Sequence, residues 1–227
     1  MKLYKYQKDE TLKYWDTKEE IDIPEFKYNE NELRGVWVSN VANIDMPRGL
    51  EKEALQDYIK KMIANIASYN INTIVYQVRP TSDAFYSSKL NPWSRFITGT
   101  EGKDPGFDLL QFVIDEAKKY NIKIHAWMNP YRVSTAALNL ENKTEEEAIN
   151  EYVQTLDDLN FAKRYPEHLV LDGANKVILA PSHPEVIKFV TDTIMEVVDN
   201  YDVEGVHIDD YFYPYAKIPF EKEEQDY

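Results

Sequence analysis

Between Leu33 and Asp209 the apolar residues of this chain switch repeatedly between alternation and helical spacing. Short β-rich runs, Leu33 to Ser39, Asn72 to Arg79, Ile122 to Asn129 and Val203 to Asp209, are separated by longer stretches that carry one apolar stripe. Glu51 to Tyr69 repeats Leu55, Tyr58, Ile59, Met62, Ile63 and Ile66 at helical intervals. A second helix is predicted to open at Pro105 and carries Leu109, Phe112, Val113 and Ala117; a third opens at Pro184 with Val186, Ile187, Val190, Ile194, Val197 and Val198. Strand and helix in alternation predict parallel βαβ units. Right-handed crossovers lay such strands side by side and gather ligands at their C-terminal ends. The predicted class is α/β.

Two segments stand outside that rhythm. Residues 1–32 mix charges without a sustained period and are predicted to be an N-terminal arm, leaving 33–227 as the folded domain. Residues 131–183 form an excursion. It reads as a Glu-rich amphipathic helix around Thr144 to Arg164, then a hairpin pairing His168 to Asp172 with Lys176 to Ala180 across Gly173-Ala-Asn175. The alternative is that Val177 to Ala180 belongs to the parallel sheet.

Alternation within each strand sorts its faces. In the third run Ile122, Ile124, Ala126 and Met128 are assigned to the helices, leaving Lys123, His125, Trp127 and Asn129 inward. The same rule turns Gly205, His207 and Asp209 inward in the fourth run, Val75, Gln77 and Arg79 in the second, and Gly35, Trp37 and Ser39 in the first. Buried parallel strands are ordinarily apolar on both faces. Here Ser39, Arg79, Asn129 and Asp209 converge on one polar mouth, where a (β/α) barrel carries its chemistry. Asp209-Asp210, followed by Tyr211-Phe-Tyr213-Pro-Tyr215, is the sharpest signal, because a carboxylate pair closing an apolar strand is poorly explained as a solvated turn. Trp37 and Trp127 read either as core or as platforms for the C–H face of a sugar. Gln77 either satisfies a neighbour or binds substrate. His125 and His207 read as hydrogen-bonded spacers rather than metal ligands.

Charge narrows the partners. With 26 Lys+Arg against 40 Asp+Glu the net charge is −14, which argues against nucleic acid and anionic membrane surfaces. The chain has no cysteine, so cysteine catalysis, disulfides and thiolate metal sites are excluded, and no metal or organic cofactor is called for. The first residues lack the apolar core of a signal peptide, and no window has the length of a membrane span. The chain as given reads as cytoplasmic.

Six ordered blocks resemble the bacterial glycosyl-hydrolase-like family ten, formerly a domain of unknown function. They are Leu33-Arg-Gly-Val-Trp-Val; Tyr76-Gln-Val-Arg-Pro; Asp83-Ala-Phe-Tyr-Ser-Ser with Pro92-Trp-Ser; Thr98-Gly-Thr-Glu-Gly-Lys-Asp-Pro-Gly-Phe-Asp108; His125-Ala-Trp-Met-Asn-Pro-Tyr-Arg132; and Tyr201 to Pro214. The resemblance implies a (β/α) TIM-type barrel that hydrolyses glycosidic bonds, with some relatives acting on cell-wall glycans and many exported or envelope-anchored. The chain departs from it at Leu179-Ala-Pro-Ser-His-Pro184, where the family pattern is closer to Leu-Asn-Pro-Gly-x-Pro. If that Asn lines the substrate groove, Ala180 removes one contact.

A closed barrel takes eight strands and about 250 residues, whereas about the first four βα units are legible here. Glycoside hydrolysis needs two carboxylates, one to protonate the leaving oxygen and one to act as nucleophile or activate water. The expected catalytic set is Asp209, Asp210 and Asp83. The expected substrate contacts are Arg79, Gln77, Trp127, Asn129, Tyr131, Arg132, His207, Tyr211 and Tyr213, with Arg79 and Arg132 gripping a substrate carboxylate. A glycan-binding barrel without catalysis, and a divalent-metal hydrolase built on His125, His207 and Asp209, are the competing readings. The open edges of half a barrel would invite self-association.

Overall fold

The structure, a computed structural model, describes residues 2–23 and 32–209. The chain divides into two units, Met1–Leu33 and Arg34–Tyr227. In the larger unit the strands are β1 (Gly35–Val38), β2 (Thr73–Arg79), β3 (Lys123–Met128), β4 (Leu169–Leu171), β5 (Val177–Leu179) and β6 (Gly205–Ile208). The helices are α1 (Lys52–Ser68), α2 (Arg95–Thr98), α3 (Leu109–Lys118), α4 (Glu145–Val153), α5 (Phe161–Arg164) and α6 (Pro184–Asn200).

The strands predicted to lie side by side do so, as one parallel sheet in the order β1-β2-β3-β6. Ile74, Tyr76 and Val78 of β2 and Ile124, Ala126 and Met128 of β3 are buried with Ile59 and Ile63 of α1 and Leu109, Leu110 and Val113 of α3. That apolar layer on the helix side is what the alternation assigned to it. Gly205 lies flat against the neighbouring strand, where a Cβ would come 3.3 Å from Nδ1 of His125.

The excursion folds as a satellite around Val133, Val153, Phe161, Leu171, Val177, Leu179, Val186 and Phe189. Within it β4 and β5 form the expected antiparallel hairpin, which sets aside the alternative of a parallel strand at Val177. The single helix expected over Thr144 to Arg164 is instead two. α4 opens on a reciprocal Thr144–Glu147 capping box and stops at Val153. Asp157 Oδ1 then accepts from the Leu159 amide and Asn160 Oδ1 from the Ala162 amide, so short polar side chains take over backbone donors and start α5 afresh. α3 likewise begins later than Pro105 predicted, because the Asp108 carboxylate caps the Gln111 amide.

The segment expected as an N-terminal arm carries local β structure of its own. Among residues 2–23, Tyr4 pairs with Thr11, Lys13 with Glu20 and Lys2 with Asp22, all antiparallel. The tight turns Lys8 N to Lys5 O and Thr17 N to Tyr14 O recur nine residues apart, each with one residue at positive φ, Gln7 and Asp16. A nine-residue β repeat escapes a search for strand or helix periods because its turns interrupt both.

Candidate functional site

The C-terminal ends of β1, β2, β3 and β6 carry the expected polar residues, but one of them turns the other way. Gln77 of β2 pairs with Trp127, whereas Arg79 pairs with Met128, so Val78 is an extra residue that shifts the register. The bulge reverses the face of Arg79, which simple alternation had turned inward. Its guanidinium lies on the helix side, bordering a small cavity with Met128, Pro130, Val190 and Thr193, 5.5 Å from the Phe189 ring. It donates to the carbonyls of Asn129 and Pro130 and to Asn91 Oδ1, and it is 1% exposed. Burial lowers its pKa to about 10.

The inward face carries an aromatic layer. Trp37 meets Trp127 edge to face at 4.9 Å and His207 at 4.5 Å. Trp37 is 48% exposed, so this layer is open to solvent, and Trp127 Nε1 is buried without a hydrogen-bond partner among the described residues. Gln77, 1% exposed, accepts from the amides of Asn40 and Val41 at 2.8 Å and from the Ser39 hydroxyl at 3.3 Å, which ties down the loop after β1.

Asn129 plays the matching part after β3. Its Oδ1 accepts from the amides of Tyr131 and Arg132, a local turn that holds those two side chains at the strand end. Arg132 Nη1 reaches the Pro80 carbonyl at 3.4 Å. Burial pushes its pKa down, and the Asp209 charge opposes that shift, so guanidinium and carboxylate are electrostatic neighbours. The Asp209 amide in turn donates to the Met128 carbonyl at 3.4 Å, extending the β3–β6 register to the mouth.

Asp83 is drawn into the protein instead. It is 2% exposed, Oδ1 accepts from the Thr81 amide, and burial raises its pKa despite Ser94, Thr81 and two nearby arginines. Asp210, Tyr211 and Tyr213 lie outside the described residues. His125, His207 and Asp209 do not come together as a ligand set; among the described residues the three-ligand grouping is His168, His183 and Glu185.

One titratable residue was not singled out from the sequence. Glu101, on the loop between α2 and α3, accepts from Asn160 Nδ2 at 2.6 Å and from the Asp157 amide at 3.4 Å. Burial, reinforced by the Asp83 charge, raises its pKa to about 7. Its setting in Thr100-Glu-Gly102, within one of the blocks that carry the family resemblance, was the available signal.

The family described as Glycosyl hydrolase-like 10 matches residues 32–227. The Bacillus subtilis protein named Glycosyl hydrolase YngK is 40% identical over 190 residues, which are 82% of this chain and 34% of that protein. Glycosyl hydrolase DigH of Escherichia coli K12 is 35% identical over 196 residues, 80% of this chain and 42% of that one. The chain therefore spans between a third and a half of the length of these curated relatives. Among solved structures, alpha-L-fucosidase isoenzyme 2 from Paenibacillus thiaminolyticus is similar at 16% identity and a TM-score of 0.47, over 78% of this chain and 23% of that one. A Thermotoga maritima alpha-fucosidase is similar at 11% identity and a TM-score of 0.41, over 69% and 29%.

Proposed function

The chain belongs to the glycosyl hydrolase-like 10 family, and on that premise we propose that it forms the first half of a (β/α) barrel that hydrolyses glycosidic bonds in a bacterial polysaccharide, cell-wall glycan being the foremost substrate. The observation that carries the reading is Asp209 at the end of β6, an electrostatic neighbour of Arg132, beside an exposed aromatic layer. In this reading Asp209 serves as acid or nucleophile. Asp210 or a carboxylate on a later strand is its partner, and Asp83 orders the loop after β2. Trp127 and His207 stack on the sugar with Trp37. Tyr131, Arg132, Tyr211 and Tyr213 contact its hydroxyl and carboxylate groups, while Gln77 and Asn129 hold the loops that present them.

Arg132, rather than Arg79, is the residue proposed to recognise a lactyl or uronic acid carboxylate, since planar guanidinium groups bind carboxylates bidentately. The test is reducing-end release from purified cell-wall glycan by a chain extended through the rest of the barrel, with and without chelator. Release that survives chelator and disappears in Asp209→Asn supports a two-carboxylate hydrolase. Binding without release in the wild type favours a glycan-binding barrel.

A further inference from the structure

We propose that His168, His183 and Glu185 form a binding site for one divalent transition-metal ion of the zinc class. Each offers a ligand atom, and these atoms lie within 4.8 Å of one another. The two imidazoles face each other at 4.9 Å between ring centroids. Nδ1 of His168 is buried and has no hydrogen-bond partner among the described residues. His183 occupies the N-cap position of α6, yet its side chain accepts nothing from the first turn. The buried, unpartnered Nδ1 of His168 and the close approach of the second imidazole are explained together by a shared ion.

The backbone holds the donors in place. His168 N donates to the Tyr165 carbonyl at 3.1 Å, the Ala180 amide to the His168 carbonyl at 2.9 Å, and His183 N to the Ala180 carbonyl at 3.3 Å. Phe161 and Tyr165 lie together on one side of the His168 ring, each 6.1 Å from it between centroids. Nitrogen and oxygen ligands at about 2.0–2.2 Å in a tetrahedron stand about 3.3 Å apart, so the group needs to close by roughly 1.5 Å at its widest. Glu185 is exposed and unbranched, and its rotamers supply that movement.

Ligand chemistry sets the class of ion. Imidazole with one carboxylate suits zinc, cobalt or nickel, whereas calcium and magnesium favour all-oxygen shells. The Glu185 charge also offsets the positive end of the α6 dipole that a cation at this terminus would face. Three protein ligands leave a fourth position for water. The ion would fasten the turn before β4 to the start of α6, closing the excursion around its hairpin. This site is independent of the glycosidase reading.

The experiment titrates zinc, cobalt and calcium into chelator-stripped protein by calorimetry and visible absorption. His183→Asn retains a favoured N-cap residue and Glu185→Gln is nearly isosteric, so both variants are expected to keep their circular dichroism. The expected result is one zinc bound at micromolar strength or tighter, cobalt bands characteristic of nitrogen ligation, and an affinity loss of about tenfold or more in either variant. Zinc binding unchanged in both variants, calcium competing equally, or no binding at about 100 µM zinc would overturn the proposal.

Discussion

Arg79 and Arg132 both sit near the polar ends of strands, but a single extra residue in β2 gives them opposite surroundings. Arg79 is a buried donor to two carbonyls and an amide oxygen. Arg79→Met should therefore act on stability, by about 3 kcal/mol, because it strands buried acceptors. Thermal denaturation reads that loss; a variant of wild-type stability with weakened glycan binding would return Arg79 to the substrate. Arg132→Ala, in contrast, should leave the melting temperature within a few degrees and reduce affinity for acidic over neutral oligosaccharides by about tenfold. Asp209→Asn is nearly isosteric but cannot transfer a proton. In an active extended protein, turnover should fall by about 10²-fold or more with glycan binding retained. Turnover within threefold of wild type would move the chemistry elsewhere.

At the scale of an element, the loop from α2 to α3 is the part whose stability should depend most on pH. Glu101 ordinarily titrates near 4.5 and is raised to about 7 in the fold, where Asp83, Arg95, Asp157, Tyr152 and the Asn160 amide surround it. The folded protein thus keeps a proton that the unfolded chain releases across that interval. Its contribution makes stability fall as pH rises from about 4.5 to about 7 and leaves it lower above. Glu101→Gln keeps the acceptor for Asn160 and Asp157 without the charge. It should raise the melting temperature at pH 8 by roughly 2–4 °C per kcal/mol relieved and have little effect at pH 4. An equal effect at both values would show that the carboxylate is not the cause. Next to it, Gly102 has a φ of +78°, and a Cβ there would overlap the Asp157 carboxylate. Gly102→Ala should weaken the same loop, detected as faster proteolysis between α2 and α3.

For the whole molecule, the described sheet ends at β1 on one side and β6 on the other. Parallel strands whose outer edges are unpaired among the described residues, and an aromatic face half open to water, favour association or closure by further strands. Sedimentation of the 227-residue chain should show self-association, and glycan release should be weak. A compact and fully active monomer would mean that these residues close the barrel unaided. If the proposed barrel reading holds, a chain extended by further βα units should be monomeric, with its tryptophan fluorescence shifted to the blue as the inward face around Trp37 loses water.

The alternation of periods determined the parallel sheet, the amphipathic helices and the position of Asp209, because each depends on neighbours within one strand or one helical turn. The hairpin was legible for the same reason: its strands and its turn are contiguous in sequence. The reversal of Arg79, the burial of Asp83 and the raised pKa of Glu101 were decided only when distant segments packed. A bulge needs the partner strand to define its register, and desolvation needs the elements that exclude water. His168 and His183 show the same division. Fifteen positions apart in the chain, they become neighbours only because the β4–β5 hairpin returns Ala180 to the His168 carbonyl.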